Sequence, residues 1–370
     1  MRLLLVTPQF ACDQAGRATP GGLLQFSRCL ARALASSPRL SSLDVWCQVD
    51  APHTEPSIRE ALEPYLRRGL ALRVRGFGAS RLSLAAAMAE SCFNRRFDHV
   101  SYTLLNQAAL SETPGHPPFD LWQVGTESFR RLHSFQQRVM RRADRIFSIS
   151  AHTTRLAASY TPGLRDGIVV PLCAEPPDPD WQASAATEPA VLTVGNMHAS
   201  LMYKGHQQLI AAWPQVVSVC PEAMLWIVGR GDGAPLLREQ ARLLPPGAAR
   251  KIHFFGAVAD STLQRMYRSA RVFALPSSGE GFGLVFVEAA RHGLPSIAGR
   301  YDAAREIVLH NRTGLLAEQH PHDLALACIR LLKDPELART LGDAARRRYQ
   351  DYYRFEHFRD RVLAGMELLS

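Results

Sequence analysis

The stretch Pro276-Ser-Ser-Gly-Glu280-Gly-Phe-Gly283-Leu-Val-Phe-Val-Glu288 decides which fold the sequence predicts. The run before it, from Arg271 to Pro276, is short, apolar and rich in β-branched and aromatic residues, as expected of a buried strand. The residues after Gly283 suit a helix that ends at Gly293-Leu-Pro295. A buried strand, a glycine-rich turn and a helix in succession are typical of a doubly wound α/β domain, whose ligands bind beyond the carboxyl ends of the strands.

This turn combines donors for a phosphate with acceptors for hydroxyl groups. Its glycines let backbone N–H groups approach a ligand, and the following helix N-terminus offers unpaired donors and a positive dipole end. Glu280 would repel a phosphate, so it is better explained as an acceptor for hydroxyl groups, with Glu288 as a second one. A phosphate together with several hydroxyl groups describes a nucleotide sugar. The alternative is an ordinary strand-turn-helix whose glutamates are solvated.

A lysine upstream fits the same ligand. Lys204-Gly205 follows the loop after the first strand of this domain and opens a helix, so the lysine can reach a phosphate. Gly229-x-Gly231 alone is weak evidence for a dinucleotide, because no acidic residue about 20 positions later completes that fingerprint.

The composition predicts a two-domain enzyme of the cytoplasm. A chain of 370 residues is long enough for two domains, and 46% hydrophobic with 21% charged residues is typical of globular enzymes. The apolar run after Met1 is too short for a signal peptide, and no stretch approaches the ~18 apolar residues of a spanning helix. The seven cysteines are scattered and never form a Cys-x-x-Cys pair, which indicates reduced thiols and no zinc site.

The net charge of +9 indicates an anionic partner. Most of the clustered arginines lie in the first half of the chain: Arg67, Arg68, Arg73, Arg75, Arg95, Arg96, Arg130, Arg131, Arg138, Arg141, Arg142 and Arg145. No nucleic-acid motif accompanies them, so an anionic membrane surface or an anionic acceptor is favoured over nucleic acid. A merely solvated surface is the remaining alternative.

Strands and helices alternate in two segments, which predicts two doubly wound, Rossmann-like domains. The first domain spans 1–172 and opens as a strand, a loop with Gly21-Gly22, a helix and a strand. A proline-rich linker, 173–188, leads to a second domain at 189–345 with five predicted strands. A C-terminal helix at 346–370 is expected to pack back toward the first domain. Asp178-Pro-Asp180 lies in the linker, where no strand would deliver it to a diphosphate, so we expect no metal there.

The motif Pro-Ser-x-x-Glu-Gly-Phe-Gly-Leu-x-x-x-Glu-Ala, with two glutamates eight residues apart, resembles the donor-site signature of retaining glycosyltransferases of family 4. That resemblance implies the GT-B fold, in which two Rossmann-like domains face across a cleft. It also implies metal-independent transfer of a hexose, with retention, from GDP-mannose or a UDP-sugar to a hydroxyl of a glycan or lipid-linked acceptor. Such enzymes act in bacterial cell-surface polysaccharide synthesis, at the cytoplasmic side of the membrane and without a cofactor.

The family's roles carry over onto particular positions. Glu280 would hold the sugar hydroxyls, Lys204 the leaving diphosphate and Glu288 the ribose. The resemblance places these residues at the donor: Gly22, Asn196, Lys204, Arg230, Val258, Glu280, Gly281, Phe282, Gly283, Leu284 and Glu288. It places Thr126 and Glu127 on the acceptor side.

The chain departs from the family pattern at two positions. Val124 stands where the family has a histidine against the reacting sugar, and Asn196 stands where it has a phosphate-binding arginine. Arg230 is the candidate replacement for that arginine. We then expect Arg230 and Lys204 to be unpaired with carboxylates; in the alternative, Arg230 caps a helix or pairs with Asp232.

Two other classes of protein fit the same sequence. A sugar-nucleotide epimerase shares the architecture but needs its own acid and base. A non-catalytic protein that binds nucleotide sugars would explain the missing histidine and arginine.

Overall fold

The computed structural model describes residues 1–10, 21–125, 129–174 and 188–369. These residues divide into two compact domains. The first domain contains the described residues up to 174 together with 354–369, and the second contains 188–353. Within these ranges, every helix is too short or too polar to cross a membrane.

The first domain is built on a parallel sheet of seven strands in the order β3-β2-β1-β4-β5-β6-β7. Its strands are β1 Arg2–Thr7, β2 Ser42–Cys47, β3 Ala71–Gly76, β4 His99–Tyr102, β5 Phe119–Gln123, β6 Arg145–Ser148 and β7 Ile168–Val169. Its helices, numbered by their place in the chain, are α1 Gly22–Ala35, α2 Glu55–Leu62, α3 Arg81–Phe93, α4 Ser134–Arg142, α5 Ala151–Tyr160 and α13 Phe355–Gly365.

The C-terminal helix α13 completes the core of the first domain. Phe358 and Val362 on this helix are buried, and the Ser37 hydroxyl donates to the carbonyl of Leu368 at 3.1 Å. At Gly365 an added Cβ would lie 2.8 Å from the ring of Phe147, so this helix lies close against β6. The chain returns to the first domain at 354, later than the predicted boundary at 346.

The second domain repeats the architecture with six parallel strands in the order β10-β9-β8-β11-β12-β13. Its strands are β8 Ala190–Val194, β9 Met224–Val228, β10 Ile252–Gly256, β11 Val272–Leu275, β12 Ser296–Gly299 and β13 Gly314–Ala317. Its helices are α6 His206–Val219, α7 Ala234–Arg242, α8 Pro246–Ala249, α9 Asp260–Ser269, α10 Leu284–Arg291, α11 Pro321–Lys333 and α12 Pro335–Arg348. The prediction of two doubly wound α/β domains is confirmed.

The prediction of five strands in the second domain is wrong, because the described sheet there has six. The missed strand there is β13, whose four residues begin with a glycine. In the first domain β3 alternates apolar residues with arginines at the sheet edge, and β4 reads His-Val-Ser-Tyr. Short strands of this kind lack the apolar run by which a buried strand is recognised.

The order of the second sheet reverses between β8 and β11. In an open parallel sheet, a ligand binds where the strand order reverses, beyond the carboxyl ends of the two strands. The segments that leave β8 and β11 are 195–204 and 276–283. The architecture therefore brings the predicted lysine and the predicted glycine-rich turn to one edge.

Helix α10, which starts at this turn, is held by a close contact at Gly342 of α12. An added Cβ at Gly342 would lie 2.0 Å from the carbonyl oxygen of Gly293 and 3.2 Å from Cδ of Pro295. Backbone cannot yield to such an overlap as a flexible side chain would. Only glycine lets α12 approach the end of α10 this closely.

We therefore expect Gly342→Ala to destabilise the second domain by about 1–3 kcal/mol, the usual cost of overpacking. Gly247→Ala is the matched control, because Gly247 also lies in a helix but an added Cβ there meets nothing within 4 Å. Thermal and urea unfolding of both variants measure the effect. Equal stability of the two variants would contradict the packing argument.

Candidate functional site

Two loops of the second domain are tied together where β8 and β11 end. The carbonyl oxygen of Tyr203 accepts hydrogen bonds from the backbone N–H of Ser278 at 3.0 Å and from Nε2 of Gln319 at 2.6 Å. The same Gln319 nitrogen donates to the carbonyl of Pro276 at 2.8 Å. Gly205 has φ of 83°, and an added Cβ would lie 2.4 Å from the Pro276 oxygen, so the contact requires a glycine.

These bonds place Lys204 against Glu280. Nζ of Lys204 lies 2.5 Å from Oε1 of Glu280, and the two side chains are only 15% and 13% exposed. Burial alone would lower the pKa of Lys204, but the charge and hydrogen bond of Glu280 raise it above its usual value. The expectation that Lys204 is unpaired with a carboxylate is wrong. The lysine stays cationic, and its partner is the other predicted catalytic residue.

A second carboxyl group, which the sequence analysis missed, lies beneath the same turn. Asp302 follows β12 and is fully buried. Its Oδ2 accepts the backbone N–H of Glu280 at 2.9 Å, and its Oδ1 accepts that of Ala304 at 3.0 Å. Burial raises the pKa of Asp302 to about 7, although the two N–H donors oppose the shift.

The glycine-rich turn presents its backbone to any ligand. Phe282 and Leu284 are 4% and 8% exposed, so their side chains belong to the interior. Gly283 has φ of 95° at the N-terminus of α10, and an added Cβ would lie 2.6 Å from the ring of Phe286. What Gly281 to Leu284 can offer a ligand is therefore the N–H donors of a helix start, which suit a phosphate.

Glu288 lies on α10, and a buried tyrosine fixes its carboxylate. The hydroxyl of Tyr267 donates to Oε2 of Glu288 at 3.0 Å, and Tyr267 is 1% exposed. Burial and then the charge of Glu288 raise the pKa of Tyr267 well above its usual value, so the phenol keeps its proton. The Tyr267 ring stacks on His292 with centroids 5.5 Å apart. Tyr267 was also missed, since an interior aromatic residue on a helix gives no sign of its partner.

The remaining donor-side candidates lie at the same edge of the second sheet. Asn196 is half-buried in the loop after β8, Arg230 is exposed after β9, and Val258 is half-buried after β10. Asp232, the alternative partner considered for Arg230, accepts the backbone N–H of Ala199 at 2.8 Å and lies 3.3 Å from Nδ1 of His198.

The first-domain candidates are less well defined. Gly22 is the first residue of α1 and is exposed. Thr126 and Glu127 lie outside the described residues, as do Asp178 and Asp180. In the part of the chain that the structure describes, no group of three or more His, Cys, Asp or Glu could hold a metal ion.

Comparison with known proteins agrees with this architecture. Residues 188–334 match the family model described as glycosyl transferases group 1. A GDP-mannose-dependent alpha-(1-6)-phosphatidylinositol monomannoside mannosyltransferase of Mycobacterium tuberculosis is 31% identical over 255 residues, covering 64% of this chain and 63% of the relative. A phosphatidyl-myo-inositol mannosyltransferase of Mycolicibacterium smegmatis is 39% identical over 136 residues, covering 36% of this chain and 34% of the relative. The chain thus spans less than two thirds of the length of these relatives.

Two solved structures share the fold along the whole chain. The crystal structure of HepE from Anabaena in complex with UDP-glucose has a TM-score of 0.75 at 18% identity and covers 100% of both chains. Sucrose-phosphate synthase from Thermosynechococcus elongatus has a TM-score of 0.71 at 20% identity, covering 100% of this chain and 98% of the other. Residues 188–334 thus match the glycosyl transferases group 1 model, and the two doubly wound domains have the GT-B fold of these solved structures.

Proposed function

We propose that this chain is a glycosyltransferase that moves a hexose from a nucleotide sugar to an acceptor hydroxyl, with retention and without a metal ion. The observation that carries the proposal is the half-buried ion pair between Lys204 and Glu280 of the glycine-rich turn, where the order of the second sheet reverses. A cation, a helix start and a hydroxyl acceptor lie together there. Those are the groups that a sugar diphosphate requires.

In this proposal the donor exchanges partners with the ion pair. The diphosphate takes over Lys204 and the N–H groups of 281–284, which stabilise the charge that develops on the leaving group. Glu280, released from the lysine, accepts hydrogen bonds from the sugar hydroxyls. Glu288 accepts the ribose hydroxyls, and the backbone near Val258 binds the base. Arg230 supplies the second positive charge in place of Asn196.

GDP-mannose is the proposed donor, with a UDP-sugar as the alternative. The mannosyltransferase relatives support GDP-mannose, and their named activities support a glycolipid or glycan acceptor. The structural neighbour with UDP-glucose is too distant in sequence to decide the base. Gly22, Thr126 and Glu127 in the first domain are proposed to contribute to the acceptor side. The expected setting is the synthesis of a bacterial cell-surface glycan.

A basic surface on α4 supports an acceptor that resides in an anionic membrane. Phe135 is 42% exposed and Arg138 is 60% exposed on this helix, and the Arg138 guanidinium lies 5.3 Å from the Phe135 ring. Arg138 and Arg142 share Glu112 as an acidic partner. Arg130 and Arg131 just before the helix are also exposed. An exposed aromatic ring among cations suits the interface of an anionic bilayer.

Incubation with GDP-mannose and vesicles that contain phosphatidylinositol should release GDP and give a mannosylated product of unchanged anomeric configuration, in the presence of EDTA. Lys204→Met should lower the turnover rate by about 100-fold or more, because the leaving group loses its cation. Lys251→Met is the matched control, since Lys251 lies just before β10 and forms an ion pair with the exposed Glu222. Conversion of the donor into its epimer, or binding without turnover, would refute the transferase.

Glu288→Ala should raise the dissociation constant of the donor by the equivalent of about 1.5–3 kcal/mol, because hydrogen bonds from the ribose to a charged group are lost. The loss should vanish for a 2′,3′-dideoxy nucleotide, which has no such hydroxyls. Glu222→Ala, at a side chain that is 86% exposed, controls for the change of charge. Calorimetric titration measures the dissociation constants of the wild type and of both variants for the donor and for the dideoxy nucleotide. Unchanged affinity of Glu288→Ala for the donor would rule out the ribose role.

The double variant Arg130→Glu with Arg131→Glu should lose co-sedimentation with anionic vesicles, and added salt should weaken binding of the wild-type chain. Arg339→Glu with Arg347→Glu, on the exposed face of α12, carries the same change of net charge. If both double variants lost co-sedimentation, membrane binding would depend only on the net charge of the chain and not on the surface near α4. Equal binding of the wild type to neutral vesicles would argue against the docking surface.

A further inference from the structure

We propose that Asp302 is a positioning residue of the donor site: it holds the main chain of Glu280 so that the Glu280 side chain reaches the sugar of the donor. The inference rests on the proposed function, from which it takes the sugar-binding role of Glu280. It adds a residue that the sequence motif does not contain.

Both main-chain polar groups of Glu280 are bound by the segment that follows β12. The backbone N–H of Glu280 donates to Oδ2 of Asp302 at 2.9 Å. The carbonyl of Glu280 accepts the backbone N–H of Ala303 at 3.1 Å. These two bonds fix the peptide units on either side of Glu280, and therefore the direction in which its side chain leaves the turn.

The carboxylate is itself fixed by its other contacts. Its Oδ1 accepts the N–H of Ala304 at 3.0 Å and so caps the short turn Ala303–Glu306. The side chain of Ser277, in the glycine-rich turn, favours the ionised carboxylate and lowers the pKa of Asp302 against the effect of burial. Each oxygen thus serves a different segment, and only a carboxylate offers two acceptors at this spacing.

Burial makes the ionised form of Asp302 costly near neutral pH. Because its pKa is raised from 3.8 to about 7, Asp302 binds a proton in the folded chain over a pH range where the unfolded chain has lost it. Its contribution to stability is therefore present below about pH 4 and is lost as the pH rises through about 7. Asp334 caps a helix without this desolvation penalty. Its Oδ1 accepts the backbone N–H of Leu337 in α12 at 2.8 Å, and the residue is exposed to solvent.

The variant Asp302→Ser separates capping from positioning. A serine hydroxyl can still cap the N–H of Ala304, but one short acceptor cannot also reach the N–H of Glu280. Asp302→Asn is the second variant, which keeps the size of the side chain and only one acceptor oxygen. Asp334→Ser and Asp334→Asn are the matched controls, because they alter a capping aspartate of the same domain that does not contact Glu280.

The measurement is the ratio of two dissociation constants, for the nucleotide sugar and for the free nucleotide, by calorimetry on the full chain. The probes are GDP-mannose with GDP, or UDP-glucose with UDP if the wild type binds that pair instead. The free nucleotide lacks the sugar that Glu280 binds, so the ratio isolates the sugar contact.

In both Asp302 variants the ratio should rise about tenfold while the affinity for the free nucleotide changes less than twofold. In a Glu280→Gln background, Asp302→Ser should change the ratio no further, because the two residues act through one contact. The Asp334 variants should leave the ratio unchanged.

The inference is wrong if the ratio stays constant in folded Asp302 variants, or if both nucleotides lose affinity equally. It is also wrong if both Asp302 variants unfold while the Asp334 pair remains folded, because Asp302 is then a structural cap. A wild-type chain that binds none of the four probes overturns the proposed function itself, and the inference with it.

Discussion

The ion pair between Lys204 and Glu280 joins residues 76 positions apart, and it exists because β8 and β11 end side by side. Taking two opposite charges out of water is costly, and their attraction offsets that cost only when the geometry is good. The contacts of Tyr203, Gln319 and Asp302 supply that geometry. These contacts order the two loops without a ligand, and in the proposed function a donor diphosphate would meet a lysine that is already charged and already in place.

Helix α10 connects the glycine-rich turn to Glu288, the second glutamate of the motif, and fixes the position of both. The helix begins at Leu284 and Glu288 lies four residues later, so an α-helical rise separates the two by roughly 6 Å. The buried Tyr267 donates a hydrogen bond to Glu288, and Gly342 lets α12 pack closely against Gly293, just after the C-terminus of α10. The distance between the proposed phosphate donors of the turn and the proposed ribose acceptor, Glu288, is thus set by a helix rather than by a loop.

The sequence was sufficient to predict features that depend on residues close together in the chain, namely most of the helices and strands and the glycine-rich turn. The periodicity of apolar residues gave the α/β alternation, and the glycines around Glu280 marked the turn. What it missed depends on residues far apart in the chain. The pairing of Lys204 with Glu280 follows from strand order, and the role of Asp302 follows from β12 lying next to β11. A weak signal for Asp302 was present, since a carboxylate soon after a strand lies at the edge where ligands bind.

The first domain is discontinuous in the chain, because α13 returns to it after the whole second domain has been passed. A ribosome therefore releases every strand of the first sheet long before the helix that covers β6 exists. Domains usually fold in the order of their synthesis, but here the second domain has all its residues before the first is complete. The face of the first domain that Phe358 and Val362 cover stays open during that interval, so the core of the first domain is completed only after α13 has been made.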